Sequence, residues 1–294
     1  MERFAHARQI ASLDAQQDCS EIYRLLVTHE FPWDVNQALS FALFRTYAVP
    51  SIGALLHRTG EFTTRTQKRY EDTVLLLDAV LEHGPGSRQG RDALRRVNQM
   101  HGAYDISQDD LRYVLCTFVV VPIRWLDEFG WRRLTEHEKT ASAHHYREVG
   151  RLMGITEIPD TWQEFARVMD AYETRHFAHD PGGVAVAEAT LALLAEMPPY
   201  DRLPGALVRQ GSLALMDEPL RCAFGFRAPL PGVRTAVRTG LRARAQVVRR
   251  MPVRTTPLHG RQLPTMRLYP DGYDVQTLGT FPRGCPGGGA DAAS

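Results

Sequence analysis

Apolar residues recur at intervals of three and four along most of this 294-residue chain, and no stretch alternates apolar and polar residues as a half-buried strand would. The segment 89–104 is typical, because Leu94, Val97, His101 and Tyr104 form one stripe with spacings of three, four and three. A helix of 3.6 residues per turn places such a stripe on a single face. The chain is therefore predicted to be all-α.

Capping signals divide the chain into separate helices. Patterns in which side chains accept hydrogen bonds from the free amides of a first helical turn begin at Ser107 and Thr135 and occur in the run 159–163. Gly154 has the place of a left-handed residue that ends a helix, and Pro50 is expected to kink one. The predicted helices span residues 36–57, 65–83, 89–104, 108–128, 136–153, 161–178, 183–196, 206–224 and 232–249.

Length and composition fit one large domain. Apolar residues make up 44% of the chain and charged residues 23%, and the formal net charge of +1 gives no field that favours nucleic acid. Beyond Pro252 the chain becomes extended and rich in proline, and from Gly284 its composition is that of a disordered tail. We expect an N-terminal extension over 1–18, one domain over 19–281 and a disordered tail over 282–294.

Cysteines and apolar segments together favour a cytoplasmic protein. Cys19, Cys116, Cys222 and Cys285 stand singly, which fits a reducing compartment and argues against a structural zinc site. No apolar run reaches the roughly 18 residues that a membrane-spanning helix needs. The first residues also lack the apolar core of a signal peptide. A cytoplasmic location is the resulting prediction.

One histidine on an apolar helix face follows a helix that carries an arginine and a threonine. Arg69 and Thr73 are four residues apart and share a face, and a buried arginine needs an anionic partner because it keeps its charge. Asp72 or another acid could be that partner, in which case His101 is an ordinary core residue. Alternatively, His101 binds haem iron, Arg69 pairs with a carboxylate at the haem edge, and Thr73 bonds to a polar group there.

Short motifs in a fixed order resemble the MpaB/rubber-oxygenase catalytic domain family, which includes proteins of the latex clearing type. The resemblance covers roughly residues 35–280, and its motifs include 69–73, 97–101, 110–115, 129–130, 152–155 and 269–273. It implies an all-helical, globin-like core that binds b-type haem, with His101 as the axial ligand and Arg69 and Thr73 supporting the haem. It also implies an oxygenase that uses dioxygen on an apolar small molecule, such as an isoprenoid or a polyene.

One position departs from the rubber oxygenases. They place a lysine immediately before the threonine, where this chain has Asp72. We carry Asp72 forward with Arg69 and Thr73 as a candidate catalytic residue, although an acid cannot supply the same cationic donor. A non-catalytic haem- or lipid-binding protein therefore stays open as an alternative.

Two further patterns suggest other chemistry. Glu173, His176 and His179 include the Glu-x-x-His spacing of di-iron bundles, although such sites need a second copy of the motif. A non-haem iron enzyme is the corresponding alternative.

Arginines between Arg234 and Arg254, three of them at a spacing of four, form a basic face that could lie on an anionic membrane or pair with acids elsewhere. The oligomeric state stays open.

Overall fold

A computed structural model describes residues 3–280, so the tail predicted over 282–294 lies outside the described residues. Within that range the chain forms helices joined by loops and turns and contains no strand. The prediction of a single all-α domain is confirmed. The region predicted as an N-terminal extension includes the helix Ala5–Ala11, whose Ile10 is fully buried in the core.

The helices predicted from periodicity agree with the observed ones to within a few residues, apart from two described below. The α-helices are α1 (Ala5–Ala11), α2 (Cys19–Leu25), α3 (Pro32–Tyr47), α4 (Pro50–Thr59), α5 (Glu61–Thr64), α6 (Thr66–His83), α7 (Arg88–His101), α8 (Gln108–Phe129), α9 (Glu136–Leu152), α10 (Trp162–His176), α11 (Pro181–Glu196), α12 (Gly205–Leu215), α13 (Glu218–Phe224) and α14 (Val233–Arg250). A π-helical turn, Leu26–Glu30, joins α2 to α3, and 3₁₀ turns occur at Tyr200–Arg202, Gly260–Gln262 and Val275–Thr277.

Helices α8 and α9 begin where the capping side chains predict, and the run 159–163 caps α10 through Thr161, one residue later than predicted. The hydroxyls of Ser107, Thr135 and Thr161 each accept a hydrogen bond from the amide three residues later, and the two threonines form complete capping boxes. Gly154 follows α9 with a left-handed φ of 71°, a conformation that glycine adopts without steric cost. These local signals therefore fix the starts of α8, α9 and α10 and the end of α9.

Two predicted helices are in fact interrupted. The segment 36–57 is not one kinked helix, because Pro50 begins a new one and the axes of α3 and α4 differ by 100°. The segment 206–224 is also two helices rather than one. Asp217 caps α13 with its side chain, and Pro219 occupies the first turn of α13, so α12 ends before them.

Helix α8 lies at the centre of the core, where it packs against α3, α9 and α10. Its inward-facing residues Tyr113, Cys116, Val119 and Ile123 are almost completely buried. Helices α6 and α7 pack against each other as a pair at one side. This pair carries Arg69, Thr73 and His101.

No single helix among residues 3–280 has both the length and the apolar composition to cross a membrane. Helices α3 and α4 meet those two criteria only when they are counted together across their bend.

The segment 258–280, which we call the C-terminal strap, runs beside α6 without forming an α-helix. Glu71 of α6 is fully buried and accepts hydrogen bonds from the backbone amides of Arg267 and Leu268, each at 2.9 Å. Leu278 of the strap is also fully buried, in an apolar cluster with α6. The strap is therefore an integral part of the fold.

Asp72 is the second carboxylate of α6 that holds the strap. It is 2% exposed and accepts hydrogen bonds from the Tyr269 hydroxyl at 2.5 Å and from the Gly279 amide at 3.0 Å. On α6 itself, the Lys68 ammonium lies 2.6 Å from the same carboxylate. Three donors thus share this buried acid and compensate for its loss of hydration.

Helices α4 and α11 approach each other closely at a pair of glycines. A Cβ atom at Gly53 would lie 2.4 Å from the Tyr47 carbonyl oxygen and 2.8 Å from the Gly183 Cα. A Cβ atom at Gly183 would lie 2.3 Å from the same oxygen. The contact between these helices therefore requires glycine on both sides.

We expect Gly53→Ala to destabilise the protein by about 1–3 kcal/mol, because the added methyl group overpacks a rigid backbone contact. Gly240→Ala is the matched control, since Gly240 lies within α14 with open space around the position of its Cβ. That change should stabilise the protein by about 0.5–1 kcal/mol through helix propensity. Urea denaturation measures both, and equal effects of the two variants would contradict the proposed close contact.

We expect Asp72→Asn to lower the free energy of unfolding by about 2–3 kcal/mol, because hydrogen bonds to a charged acceptor are the strong ones. Hydrogen exchange should increase in the strap, between residues 265 and 280, more than in α8. Tyr269→Phe removes one of the three donors and should give a smaller change in the same region. Unchanged exchange in the strap of Asp72→Asn would show that this carboxylate does not hold it.

Candidate cofactor site

Arg69 lies near the start of α6, and its half-buried side chain places the guanidinium among apolar and uncharged groups. The guanidinium donates a hydrogen bond to the Thr73 hydroxyl and lies 5.0 Å from the centre of the Phe62 ring. The same hydroxyl donates to the Arg69 carbonyl at 2.7 Å. Burial lowers the pKa of Arg69, although Tyr47 and Asp72 oppose that shift.

Among residues 3–280, no carboxylate forms an ion pair with Arg69. Asp72 was the obvious candidate from the sequence, but its oxygens are taken by Lys68, Tyr269 and the Gly279 amide. A half-buried cation without a counter-ion has lost hydration that no opposite charge replaces. The site is therefore short of one negative charge.

His101 is the last residue of α7 and lies close enough to Arg69 for the guanidinium to affect its titration. Burial, followed by the charge of Arg69, lowers the pKa of His101 to about 4, so its imidazole is neutral at pH 7. Its ring makes no hydrogen bond to any group in the described part of the chain. A neutral imidazole with an unused nitrogen is the form that binds a metal ion.

Tyr47 adds a polar group that the sequence did not suggest. Its hydroxyl is buried beside Arg69 and makes no hydrogen bond of good geometry within residues 3–280. Burial raises the pKa of Tyr47 to about 12, so the hydroxyl keeps its proton and can donate it to an acceptor. The Phe62 ring packs edge-on against Tyr47 at 5.4 Å.

These groups fit a haem in their chemistry. The His101 imidazole suits iron, and the unpaired Arg69 guanidinium suits a propionate, with Thr73 holding the guanidinium in place. The Tyr47 hydroxyl is a further unsatisfied donor next to that cation. The structure thus brings together Arg69, Thr73 and His101 and places Asp72 outside the group, where its carboxylate faces Lys68 and the strap.

The alternative iron site predicted at Glu173, His176 and His179 has other contacts. Both Glu173 oxygens accept hydrogen bonds from Arg45, and one also accepts from the Tyr113 hydroxyl at 3.0 Å. The His176 ring stacks on Tyr172 at 4.1 Å. The carboxylate of the Glu-x-x-His motif therefore serves a buried ion pair.

A different carboxylate–histidine group is present on the opposite half of α6. Oxygens of Asp78 and Glu82 and a ring nitrogen of His259 all lie within 4.8 Å of one another. The spacing of Asp78 and Glu82 by four is visible in the sequence. His259 carries no such signal, because the strap brings it there from far along the chain.

Acidic side chains of neighbouring helices partly neutralise the basic face of α14. Arg238 and Arg242 both contact Glu128, and the Arg244 guanidinium lies 3.0 Å from Asp34. These pairs correspond to the alternative in which acids elsewhere balance the arginines. Contact of the remaining arginines with a membrane stays a prediction.

Comparison with known proteins gives a consistent assignment. Residues 35–250 match the family model described as the catalytic domain of ER-bound oxygenase mpaB/B′ and rubber oxygenase. The ER-bound oxygenase mpaB′ of Penicillium brevicompactum is 32% identical over 222 residues, which cover 69% of this chain and 52% of that protein. The ER-bound oxygenase mpaB of Penicillium roqueforti is 29% identical over 233 residues, which cover 71% of this chain and 75% of that protein.

The mpaB protein of Penicillium brevicompactum is also 32% identical, over 183 residues that cover 47% of its length. The chain thus spans about half the length of the two Penicillium brevicompactum relatives. The matched region contains the helices α4 to α14 in full and with them Arg69, Thr73 and His101. The chain therefore belongs to the mpaB/rubber-oxygenase catalytic domain family.

Proposed function

We propose that this protein is a haem b-dependent oxygenase that uses dioxygen to oxidise an apolar small molecule, of which isoprenoids and polyenes are the first classes to test. The observation that carries the proposal is a His101 ring without a hydrogen bond beside a half-buried Arg69 that lacks a carboxylate partner among the described residues. Membership of a family of named oxygenases supports it independently.

Each residue has a distinct part in the proposed site. His101 holds the iron through its neutral imidazole, and Arg69 binds a haem propionate. Thr73 accepts a hydrogen bond from Arg69 and so fixes the direction of the guanidinium. When bound, the haem supplies the iron at which dioxygen is activated. The buried Phe62 and Tyr47 rings keep this part of the molecule apolar, which strengthens the electrostatic interactions of Arg69.

Asp72 has a structural role in this proposal. Its buried carboxylate is already hydrogen-bonded to the strap and paired with Lys68, so we assign it no contact with haem or substrate. Lys68 does bring an ammonium next to the position where the rubber oxygenases have a lysine. The chain therefore keeps a positive charge on this turn of α6, although from a different residue.

The cellular location of the protein and the contact of α14 with a membrane form a separate part of the proposal. The cytoplasmic location stays a prediction from the sequence, whereas the names of the Penicillium relatives describe those proteins as ER-bound. The exposed arginines of α14 would supply a peripheral contact with anionic lipid. Sedimentation with vesicles that contain anionic lipid tests that contact.

We expect His101→Ala to abolish stoichiometric haem binding. The wild-type chain should bind about one haem and show a Soret band, and the variant should lose both while circular dichroism remains helical. His57→Ala, at an exposed position on α4, is the control and should keep the haem.

Arg69→Gln should weaken haem binding at least about tenfold by removing a charge-assisted contact. Retention of haem by His101→Ala, or no haem in the wild type, would overturn the proposal.

Catalysis is tested separately from binding. With haem bound, we expect oxygen uptake that depends on an added isoprenoid or polyene and disappears in His101→Ala, measured with an oxygen electrode and product analysis. Haem binding without substrate-dependent oxygen uptake would favour the non-catalytic alternative. Iron without a porphyrin spectrum would favour the non-haem alternative.

Stability of the haem-free protein should fall as the pH is lowered from 6.5 towards 4. Burial lowers the pKa of His29 and of His101 to about 4 and that of His145 to about 3. In this range the unfolded chain takes up protons on these histidines and the folded chain does not, so protonation favours unfolding. Urea denaturation at pH 7.5, 6 and 5 measures the trend, and NMR of the His101 imidazole should show the neutral form at pH 5.5. Equal stability at all three pH values would contradict these shifts.

A further inference from the structure

Helix α6 and the C-terminal strap bring three metal-ligand side chains together outside the haem candidate. Asp78 and Glu82 lie one turn apart near the end of α6, and His259 lies at the start of the strap. The His259 Nδ1 is 3.4 Å from the Asp78 Oδ1, and one ligand atom from each of the three residues lies within 4.8 Å of the other two. Such distances are close to those between ligands that share one metal ion.

The inner part of this cluster is buried and incompletely satisfied. Asp78 is 4% exposed and His259 is 7% exposed. The Nδ1 of His259 is completely buried and makes no hydrogen bond, although it points at the Asp78 carboxylate. A buried ring nitrogen without a hydrogen bond is unfavourable, and a metal ion bound there would satisfy it.

The backbone of the strap fixes the Asp78 carboxylate in position. The Gly260 amide donates to Oδ1 at 2.9 Å, and the Arg261 amide donates to Oδ2 at 3.3 Å. A Cβ atom at Gly260 would lie 2.7 Å from a Val74 methyl group and 3.2 Å from the Asp78 Cβ, so glycine allows this close approach. Each carboxylate oxygen keeps a lone pair that these amides do not use.

Arg261 currently supplies the positive charge at this cluster. Its guanidinium forms an ion pair with Glu82, with one contact at 2.9 Å, and reaches the Asp78 Oδ2 at 3.4 Å. The Arg261 side chain is 37% exposed, and that of Glu82 is 28% exposed. The outer half of the cluster is therefore open to solvent, and Arg261 can move outward by giving up its contacts with Glu82 and Asp78.

We propose that Asp78, Glu82 and His259 form a binding site for one divalent transition-metal ion of the Zn²⁺ class, which displaces the Arg261 guanidinium into solvent. Two carboxylates and one imidazole form a mixed oxygen and nitrogen donor set that suits Zn²⁺ or Mn²⁺ and is less suited to Ca²⁺, which prefers oxygen ligands alone. The bound ion links α6 to the strap and so stabilises the strap. The site does not depend on the haem proposal.

The test uses the metal-stripped, haem-free full chain in a His101→Ala background, so that Zn²⁺ cannot bind through His101. Isothermal titration with Zn²⁺ should show one ion per chain, and Zn²⁺ should raise the thermal midpoint because it binds only the folded state. Arg261→Gln should bind Zn²⁺ at least about tenfold more tightly, because the competing cation is removed. A purely structural ion-pair cluster would show no such increase in Zn²⁺ affinity.

His259→Gln should weaken Zn²⁺ binding at least 100-fold, since loss of even an outer partner of a ligand costs about 10–100-fold. His83→Ala is the matched control, because His83 lies 3.9 Å from Glu82 but outside the three-residue cluster, and it should bind like the parent. If His259→Gln does not fold, Glu82→Gln decides the same question at a more exposed position. Absence of stoichiometric Zn²⁺ in both the parent and Arg261→Gln, or its retention in His259→Gln, overturns the proposal.

Discussion

Two buried carboxylates on α6 hold this structure together where the helical bundle meets the C-terminal strap. Glu71 and Asp72 are adjacent in the sequence, almost fully buried, and hydrogen-bonded to backbone amides of the strap. Backbone amides that have left regular secondary structure must find acceptors, and these acids provide them. Without them the strap would lose four hydrogen bonds to α6, and groups such as Asp78 and Arg96 would be left to hold it.

The same helix divides its polar residues between two tasks. Glu71 and Asp72 face the strap, whereas Arg69 and Thr73 bond to each other and Arg69 lies near His101. The distribution of charge explains why the candidate site keeps an unpaired cation. The nearest acid is committed to Lys68 and the strap, so Arg69 has no carboxylate partner among the described residues. A propionate would balance that charge.

Local signals predicted most of the fold. The apolar stripes and the caps at Ser107, Thr135 and Thr161 depend on residues within one or two turns, which a sequence displays directly. The short helices α1, α2 and α5 were not predicted, because seven or fewer residues show too little periodicity. The break before Asp217 was missed for a different reason. The capping aspartate and the proline are visible in the sequence, but the apolar pattern continues across them and predicted one helix.

The candidate site was predictable only in part, because the hydrogen-bond and ion-pair partners of its residues depend on the three-dimensional fold. Arg69, Thr73 and His101 could be identified from spacing and family resemblance. The choice of Asp72 between Arg69 at three residues and Lys68 at four could not, and the structure pairs it with Lys68. Nothing in the sequence near Tyr47 or His259 indicates which groups they meet across the fold.

The end of the strap has a practical consequence for how the protein is handled. A Cβ atom at Gly279 would lie 2.0 Å from the sulfur of Met100, the residue before His101, so the backbone there touches the last turn of α7. A truncation that removes Gly279 would therefore take away a backbone contact next to the proposed iron ligand.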